Sequence, residues 1–434
     1  MSKARPAHTV IVPQSISRRL VLHALAALVL APKAALSFSL FGASRMNSPE
    51  TDAFKWDVDF CSYGIDINPR ANGLVETLAD DNWLRDAQGN TVALFFTGFG
   101  AAWGSGASPM GGPPFDENTR LPLSLRLSYY DYVEDRFYQL NVTLPLKKIH
   151  ALFVQQTMNK REERQEARFE TLRIGVAPQG YIMIWATGLA AGDQVELMTD
   201  RATVIPGMTM QTYLKSLGQT GFKLDPNRFR ALSDARFTQE DIARIKAGWR
   251  ADPIYYMRTI RVKYPWRYRL TGQARTMVEL ESYEGNSEAQ SVGAWEMSRY
   301  QMLNAMRAVP ETAKFWFLDP SGQHHHLWIS FSLRERAVSE ADLSEVRAAF
   351  EQIFPKRTLE DNGYLPSDQD MATVEVHASE DFKTFAATLV KGDVRLPLPV
   401  GKTQYFPLRP NAYWPGTDGP EPKMLKLFKE GPPA

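Results

Sequence analysis

The chain has 434 residues, of which 44% are apolar and 23% charged, and a formal net charge of +1. That length can bury ample core and suits two or three domains. The near-neutral balance provides no overall field for nucleic acid or an acidic surface, and a single cysteine, Cys61, excludes an intramolecular disulfide and reads as a buried thiol.

The first element is an export signal over residues 1–39. Ser17-Arg18-Arg19-Leu20-Val21-Leu22 precedes a short apolar run that ends at Ala31 and Pro32. Charge, a short apolar core and small residues form the export pattern, and Ala35-Leu36-Ser37 or Ser37-Phe38-Ser39 offers the cleavage site. The paired arginines resemble a twin-arginine signal, which places the mature chain in the periplasm. The alternative is an uncleaved inner-membrane anchor. No cysteine stands just after the apolar core, since Cys61 lies too far downstream, so the pattern is not that of a lipoprotein signal. Residues 40–53 read as a linker.

An N-terminal lobe is expected over residues 54–225. Phe54 to Phe60 alternates large apolar with polar residues, as a strand with one buried face does. Thr91 to Phe96 is a second strand. The glycines from Gly98 to Gly112 then invite a dinucleotide reading, but that reading requires a helix directly after the loop. Pro109, Pro113 and Pro114 forbid one, so the segment reads as a surface loop. Within it, Phe99 and Trp103 are the candidate partner-binding residues. Leu123 to Tyr129 and Tyr138 to Leu144 are strands joined by a turn at Asp131 to Arg136. Leu146, Ile149, Leu152 and Phe153 form one stripe of a helix that Pro145 can start. Leu172 to Val176 and Tyr181 to Trp185 flank Ala177-Pro178-Gln179-Gly180, a hairpin turn with Pro fixing φ and Gly free to take φ > 0. Gln194 to Ile205 is a strand and Thr209 to Leu217 a short helix.

A helical connector is expected over residues 226–263. Thr238 opens a helix with Ile242, Ile245 and Trp249 on one face. Arg228, Arg230, Arg236, Arg244 and Arg250 give the region a basic face, read as solvated because no aromatic stacking platform accompanies it. No nucleic-acid partner is expected.

The C-terminal lobe is expected over residues 264–410, with a loose tail over 411–434. Trp266, Tyr268 and Leu270 alternate, and Thr276 to Tyr283 is a second strand. Trp295 to Val309 reads as a helix with Met302, Leu303 and Met306 as its apolar stripe. Lys314 to Ser332 is a hairpin around Asp319-Pro320-Ser321-Gly322. Helix, strand, turn and a strand ending near Trp185 or Trp328 recur in both halves, which suggests a weak internal duplication. Leu343, Val346, Phe350 and Ile353 form the inner face of an amphipathic helix. Ala372 to His377 is a strand, Ser379 to Val390 a helix, and Leu396 to Phe406 extended, with Pro397 and Pro399 restricting it to an edge. The fold class expected is α+β: two lobes of mostly antiparallel sheet with helices packed on one face.

Chemistry is sparse. His324 and His326 share one strand face and, with His377, are the weak candidates for a metal site. They lack a helical His-x-x-x-His pair, a Cys pair and an acid at a diagnostic offset, so no metal and no cofactor are expected. His150 reads as a half-buried neutral histidine. Gly104-Ser105-Gly106 lacks the frame of a nucleophile elbow. Glu134 and Asp135 read as solvated turn acids. The chain is therefore expected to be non-enzymatic, with no catalytic residues.

Several phrases carry a resemblance: Lys55-Trp56-Asp57-Val58, Leu121-Pro122-Leu123-Ser124-Leu125 leading to Tyr132-Val133-Glu134-Asp135-Arg136-Phe137-Tyr138, Leu144-Pro145, Gly175-Val176-Ala177-Pro178-Gln179-Gly180 ending in Trp185, and Leu398-Pro399-Val400-Gly401-Lys402-Thr403. The pattern resembles a bacterial family of predicted lipoproteins of unknown function. Members occur near type VI secretion effectors, notably lipase-like toxins. The resemblance implies an immunity protein whose partner is a cognate toxin in the envelope. This chain departs from the family in lacking the lipobox cysteine. The alternatives are a periplasmic metal-dependent hydrolase and a structural envelope module.

Overall fold

Alternating apolar and polar residues build strands along most of the chain in the computed structural model, which describes residues 48–62, 75–78, 82–95, 117–158, 165–188, 193–216, 238–248, 256–274, 276–294, 296–332 and 340–408. The expected export signal and loose tail lie outside the described residues, as do all but the last six residues of the linker. Residues Asn47–Ala434 form one compact unit.

Strands β1 (Ala53–Phe54), β2 (Asp57–Ser62), β3 (Val75–Thr77), β4 (Trp83–Arg85), β5 (Thr91–Leu94), β6 (Thr119–Arg120), β7 (Ser124–Asp131) and β8 (Arg136–Thr143) lead to helix α1 (Leu146–Phe153). Then come β9 (Gln156–Met158), β10 (Gln165–Ala167), β11 (Thr171–Ala177), β12 (Tyr181–Thr187), β13 (Gln194–Arg201), β14 (Thr203–Val204), α2 (Met210–Ser216) and α3 (Gln239–Lys246). After one turn of π-helix at Tyr256–Ile260 follow β15 (Tyr264–Gly272), β16 (Thr276–Glu284), β17 (Ala289–Val292), α4 (Met297–Met302), β18 (Met306–Arg307), β19 (Pro310–Leu318) and β20 (His324–Ser330). Helix α5 (Glu340–Ile353), β21 (Ala372–Ala378), β22 (Phe385–Lys391), β23 (Val394–Leu398) and β24 (Lys402–Pro407) complete the described chain. The architecture is α+β and mainly β, built from open, mostly antiparallel sheets with few helices.

Three sheets carry the structure. A six-stranded sheet runs β14-β8-β7-β4-β5, with β3 also on β7. A nine-stranded sheet runs β2-β11-β12-β13-β17-β16-β19-β20-β24, and a five-stranded sheet runs β18-β15-β21-β22-β23. The pairs β2/β11 and β15/β21 are parallel, and the other described pairs are antiparallel. The nine-stranded sheet crosses the boundary expected between the lobes: β13 joins β17 through the Gln194–Ala289 pair.

The strand orders of the two halves coincide. The path β14-β8-β7-β4-β5 in the first half has the order of β24-β20-β19-β16-β17 in the second. The path β2-β11-β12-β13 has the order of β15-β21-β22-β23, each beginning with the parallel pair and each with a helix, α1 or α5, before its second strand. The hairpin pairing expected from sequence set β11–β12 against β19–β20. By strand order β11–β12 answers to β21–β22, and β7–β8 to β19–β20.

Each half has its own core, one drawing on residues from Trp56 to Ile245 and the other on residues from Val262 to Leu398. Strand β12 explains its near-continuous apolar sequence. Ile182, Ile184 and Ala186 enter the first core, while Met183 and Trp185 meet Cys61 and Met257 on the opposite face. Cys61 is fully buried. On α1, Leu146, Ile149 and Phe153 face inward as their spacing predicts. His150 is buried more deeply than the sequence suggests, with Nε2 2.7 Å from Asp52 Oδ2. On α5, Leu343, Val346 and Phe350 are buried, and Phe350 meets Tyr264 and Trp266.

Two expected helices are corrected. Residues 379–390 hold a turn and then strand β22. Ser379 and Asp381 close the turn by hydrogen bonds to backbone N–H groups of Thr384 and Lys383, and Phe382 takes φ 55°, which stops a helix before it starts. Phe385 to Val390 then pairs with β21, where Ala387 and Leu389 are buried. The helix expected over 295–309 is confined to α4, and Met306 lies in β18. Of its expected inner residues, Met302 is 73% exposed and Leu303 40%, while Met306 is half-buried. The extended segment 396–406 divides between β23 and β24, the edges of two different sheets, and Pro397 does sit on an edge strand.

The junction of the halves is polar and buried. Arg168 reaches Asp193 at 2.7 Å, Glu296 at 2.6 Å and the Ser291 carbonyl at 3.0 Å. Arg173 grips Asp59 with two parallel hydrogen bonds and also reaches Gln194, which donates to the Ser287 carbonyl. Arg261 pairs with Glu196, and Lys263 with Glu288.

Nearby, Glu284 is buried, and burial raises its carboxyl to about 7 against opposing help from Arg307 and the Ser282 hydroxyl. A carboxyl raised in the folded state binds its proton more tightly there than when unfolded. Its contribution to stability is therefore complete below the unfolded value near 4.5 and lost as pH rises through about 7. The shift corresponds to roughly 3 kcal/mol between acid and alkaline pH. The Glu284→Gln variant is expected to flatten this dependence and to exceed the parent in stability at pH 8.5. Urea midpoints measured from pH 5 to 8.5 check it.

Candidate functional site

The described surface holds an open cleft of about 410 Å³ where the ends of β8, β12, β13 and β14 converge, lined by Arg136, Tyr138, Gln179, Arg201, Ala202, Thr203 and Val204. Two turns shape it. In the β7–β8 turn the Asp131 carboxylate accepts the backbone N–H groups of Val133 and Glu134 at 2.8 and 2.9 Å. This is the local bonding that makes aspartate a turn residue. Asp135 takes φ 57° and receives the Tyr130 hydroxyl proton at 2.6 Å. Glu134, expected to be a solvated turn acid, instead braces the cleft. Its Oε2 accepts the Tyr138 hydroxyl at 2.5 Å and the Gln179 backbone N–H at 3.0 Å.

The second turn is Pro178–Gly180. Gln179 sits at φ 61°, a conformation a side-chain-bearing residue adopts at a cost. Gly180 at φ 79° is required twice over, because a Cβ there would stand 2.4 Å from the Ala202 carbonyl oxygen and 3.1 Å from the Tyr138 ring. Arg201 arches over Tyr181 at 4.9 Å and donates Nε to the Gln179 carbonyl at 3.1 Å. Burial, then the bond to Glu134, pushes the Tyr138 phenol well above its ordinary range, so it stays protonated and donates. The result is a cleft with a tyrosine wall, a guanidinium on each side and the partly exposed Val204 at its rim. Two guanidinium groups beside a phenol are a donor set suited to an anionic group.

The sequence-predicted residues lie elsewhere. Phe99 and Trp103 fall outside the described residues. His324 and His326 are on β20 in the nine-stranded sheet, while His377 is exposed on β21 in the five-stranded sheet, 3.2 Å from the Thr271 hydroxyl. His326 stacks against Trp316 and Phe406, and burial lowers it to about 4. Among the described residues no group of three or more His, Cys, Asp or Glu side chains could hold a metal ion. The middle histidine, His325, which sequence reasoning passed over, has directed polar partners. His325 Nδ1 meets the Tyr405 hydroxyl at 2.7 Å, and Nε2 lies 3.2 Å from Asp319. His325 also stacks on Phe317 and on Phe382, which touch each other. Among the described residues no helix is long and apolar enough to cross a membrane.

Arg136, Tyr138, Gln179 and Arg201 were not singled out from sequence. The available signal was the Pro-Gln-Gly turn, which places a strained residue between two strand ends. No curated protein and no solved structure matches the chain. Residues 43–241, which contain every residue lining the cleft, match the family model DUF2931, described as a protein of unknown function.

Proposed function

We propose that the chain is an exported, non-enzymatic binding protein that neutralises a lipase-like toxin of type VI secretion in the bacterial envelope. The observation that carries this reading is the braced cleft on a stiff support. Glu134 ties its two turns together, one joining β7 and β8 of the six-stranded sheet and the other joining β11 and β12 of the nine-stranded sheet. A blocker needs a rigid scaffold, an accessible recognition element and no catalytic machinery. The twin-arginine-like signal delivers the chain to the compartment where such a toxin acts. Within this reading the chain holds two copies of one ancestral module, joined through β13 and β17, and the matching strand orders support it. The family match over residues 43–241 falls on the first copy.

Mixing the purified mature chain with the lipase-like toxin encoded beside it is expected to give a complex that survives size-exclusion chromatography and silences the lipase. Separate elution of the two proteins at micromolar concentration would end this reading.

A further inference from the structure

Several arginines of the strands and their junctions are committed to carboxylates. Arg168 pairs with Asp193 and Glu296, Arg173 with Asp59, and Arg261 with Glu196, while Arg269 and Arg395 share Glu375. Arg136 and Arg201, on either side of the cleft, pair with no carboxylate among the described residues, and both are exposed. Glu134, in the adjoining turn, is already engaged, because its Oε2 takes the Tyr138 hydroxyl and the Gln179 N–H. Arg201 is held in place by Tyr181 and by the Gln179 carbonyl, which uses Nε and leaves its terminal nitrogens for a ligand. A guanidinium fixed in this way presents two donors in the geometry of a carboxylate without a large ordering cost.

The other half of the chain shows what size of group this part of the fold accepts. At the matching β21–β22 turn, Phe382 also takes a positive φ, 55°, and lays its ring flat against His325 at 4.7 Å and Tyr405 at 5.2 Å. There the chain supplies its own planar side chain. At the β11–β12 turn the residue is Gln179, and the cleft stands open.

We propose that the cleft between Arg136 and Arg201 receives an acidic side chain of the partner protein, its carboxylate seated between the two guanidinium groups beside Tyr138. The inference rests on the binding reading above and names the contact by which binding occurs. Partly desolvated charge pairs of this kind dominate dissociation when one member is removed.

The test uses the mature chain, its double variant Arg136→Glu/Arg201→Glu, and Lys356→Glu as an exposed control on a distant loop, each titrated with the toxin encoded next door. Melting temperatures establish that the variants are folded. The double reversal is expected to weaken the complex about 100-fold or more, while Lys356→Glu changes it less than about threefold. If the reversal disturbs folding, the shape-preserving Arg136→Gln/Arg201→Gln pair replaces it, with an expected loss of about 10-fold or more. A folded double variant that binds within threefold of the parent overturns this inference and leaves the binding reading standing. Failure of the parent to bind overturns both. Inorganic phosphate that binds at the arginines, titrated at constant ionic strength, while the toxin complex ignores the reversal, would make the cleft a small-anion site and overturn the inference.

Discussion

Arg168→Ala is expected to destabilise the protein by about 3–5 kcal/mol and to separate its unfolding into two transitions. The guanidinium sits where the halves meet and is 15% exposed. It neutralises Asp193, which is 4% exposed, and Glu296, which is 11% exposed, and it caps the Ser291 carbonyl. Removing it leaves two carboxylates facing each other in a site that excludes water, and burial already pushes Asp193 up to about 6. Asp193 in turn accepts the Ser291 N–H at 2.9 Å, so the disturbance passes directly from β13 to β17. The backbone link between these strands is a single residue pair, Gln194 with Ala289, which is too little to hold the sheet together without the charges. Calorimetry should show one transition in the parent and two in the variant. The triple substitution Arg168→Met, Asp193→Asn, Glu296→Gln should recover most of the loss, because an uncharged junction carries no unpaired ion. Recovery of nothing would mean that Arg168 acts through packing alone.

Trp266→Ala should cost about 3–5 kcal/mol and empty the centre of the second core. The indole is completely buried, meets Tyr268 edge-on at 4.8 Å and Phe350 at 5.8 Å, and donates Nε1 to the Ala308 carbonyl at 3.0 Å. It therefore ties β15 to the segment before β19 and to α5 at once. The milder Trp266→Phe change keeps most of the volume but leaves a buried carbonyl without its donor, and about 1–3 kcal/mol is expected. Urea denaturation of both variants gives the order: alanine most destabilised, phenylalanine intermediate. Equal losses would show that the cavity contributes nothing beyond the hydrogen bond.

The strands were legible wherever one face is wet and the other dry. β7 alternates apolar and polar residues from Leu125 to Tyr129 and β8 from Tyr138 to Val142, and Tyr129 stacks on Tyr138 directly across the pair, at 5.3 Å. Helices α1 and α5 announced themselves through stripes that do turn inward. The failures have a common cause. Phe385 to Val390 reads equally as a helix stripe or a strand, and only its pairing with β21 decides between them. Met302 and Leu303 looked like part of a buried stripe because apolar spacing carries no information about whether a neighbouring element arrives to cover it. The cleft escaped notice for a similar reason: Arg136 and Arg201 are 65 residues apart, and nothing local marks them as partners.

Local chemistry by itself determined the strand and helix segments, the turns at Asp131 and Pro178, the buried thiol and the α+β class, because each depends on neighbours within a few residues. Tertiary structure alone decided that a single sheet of nine strands runs through both halves, that the arginines at the junction find acids 25 to 128 positions away, and that His325 meets Tyr405 and Asp319. Those outcomes depend on which surfaces meet after collapse. Pairing over such distances is selected by burial and charge compensation among assembled elements, and no short window of sequence contains both members of the pair.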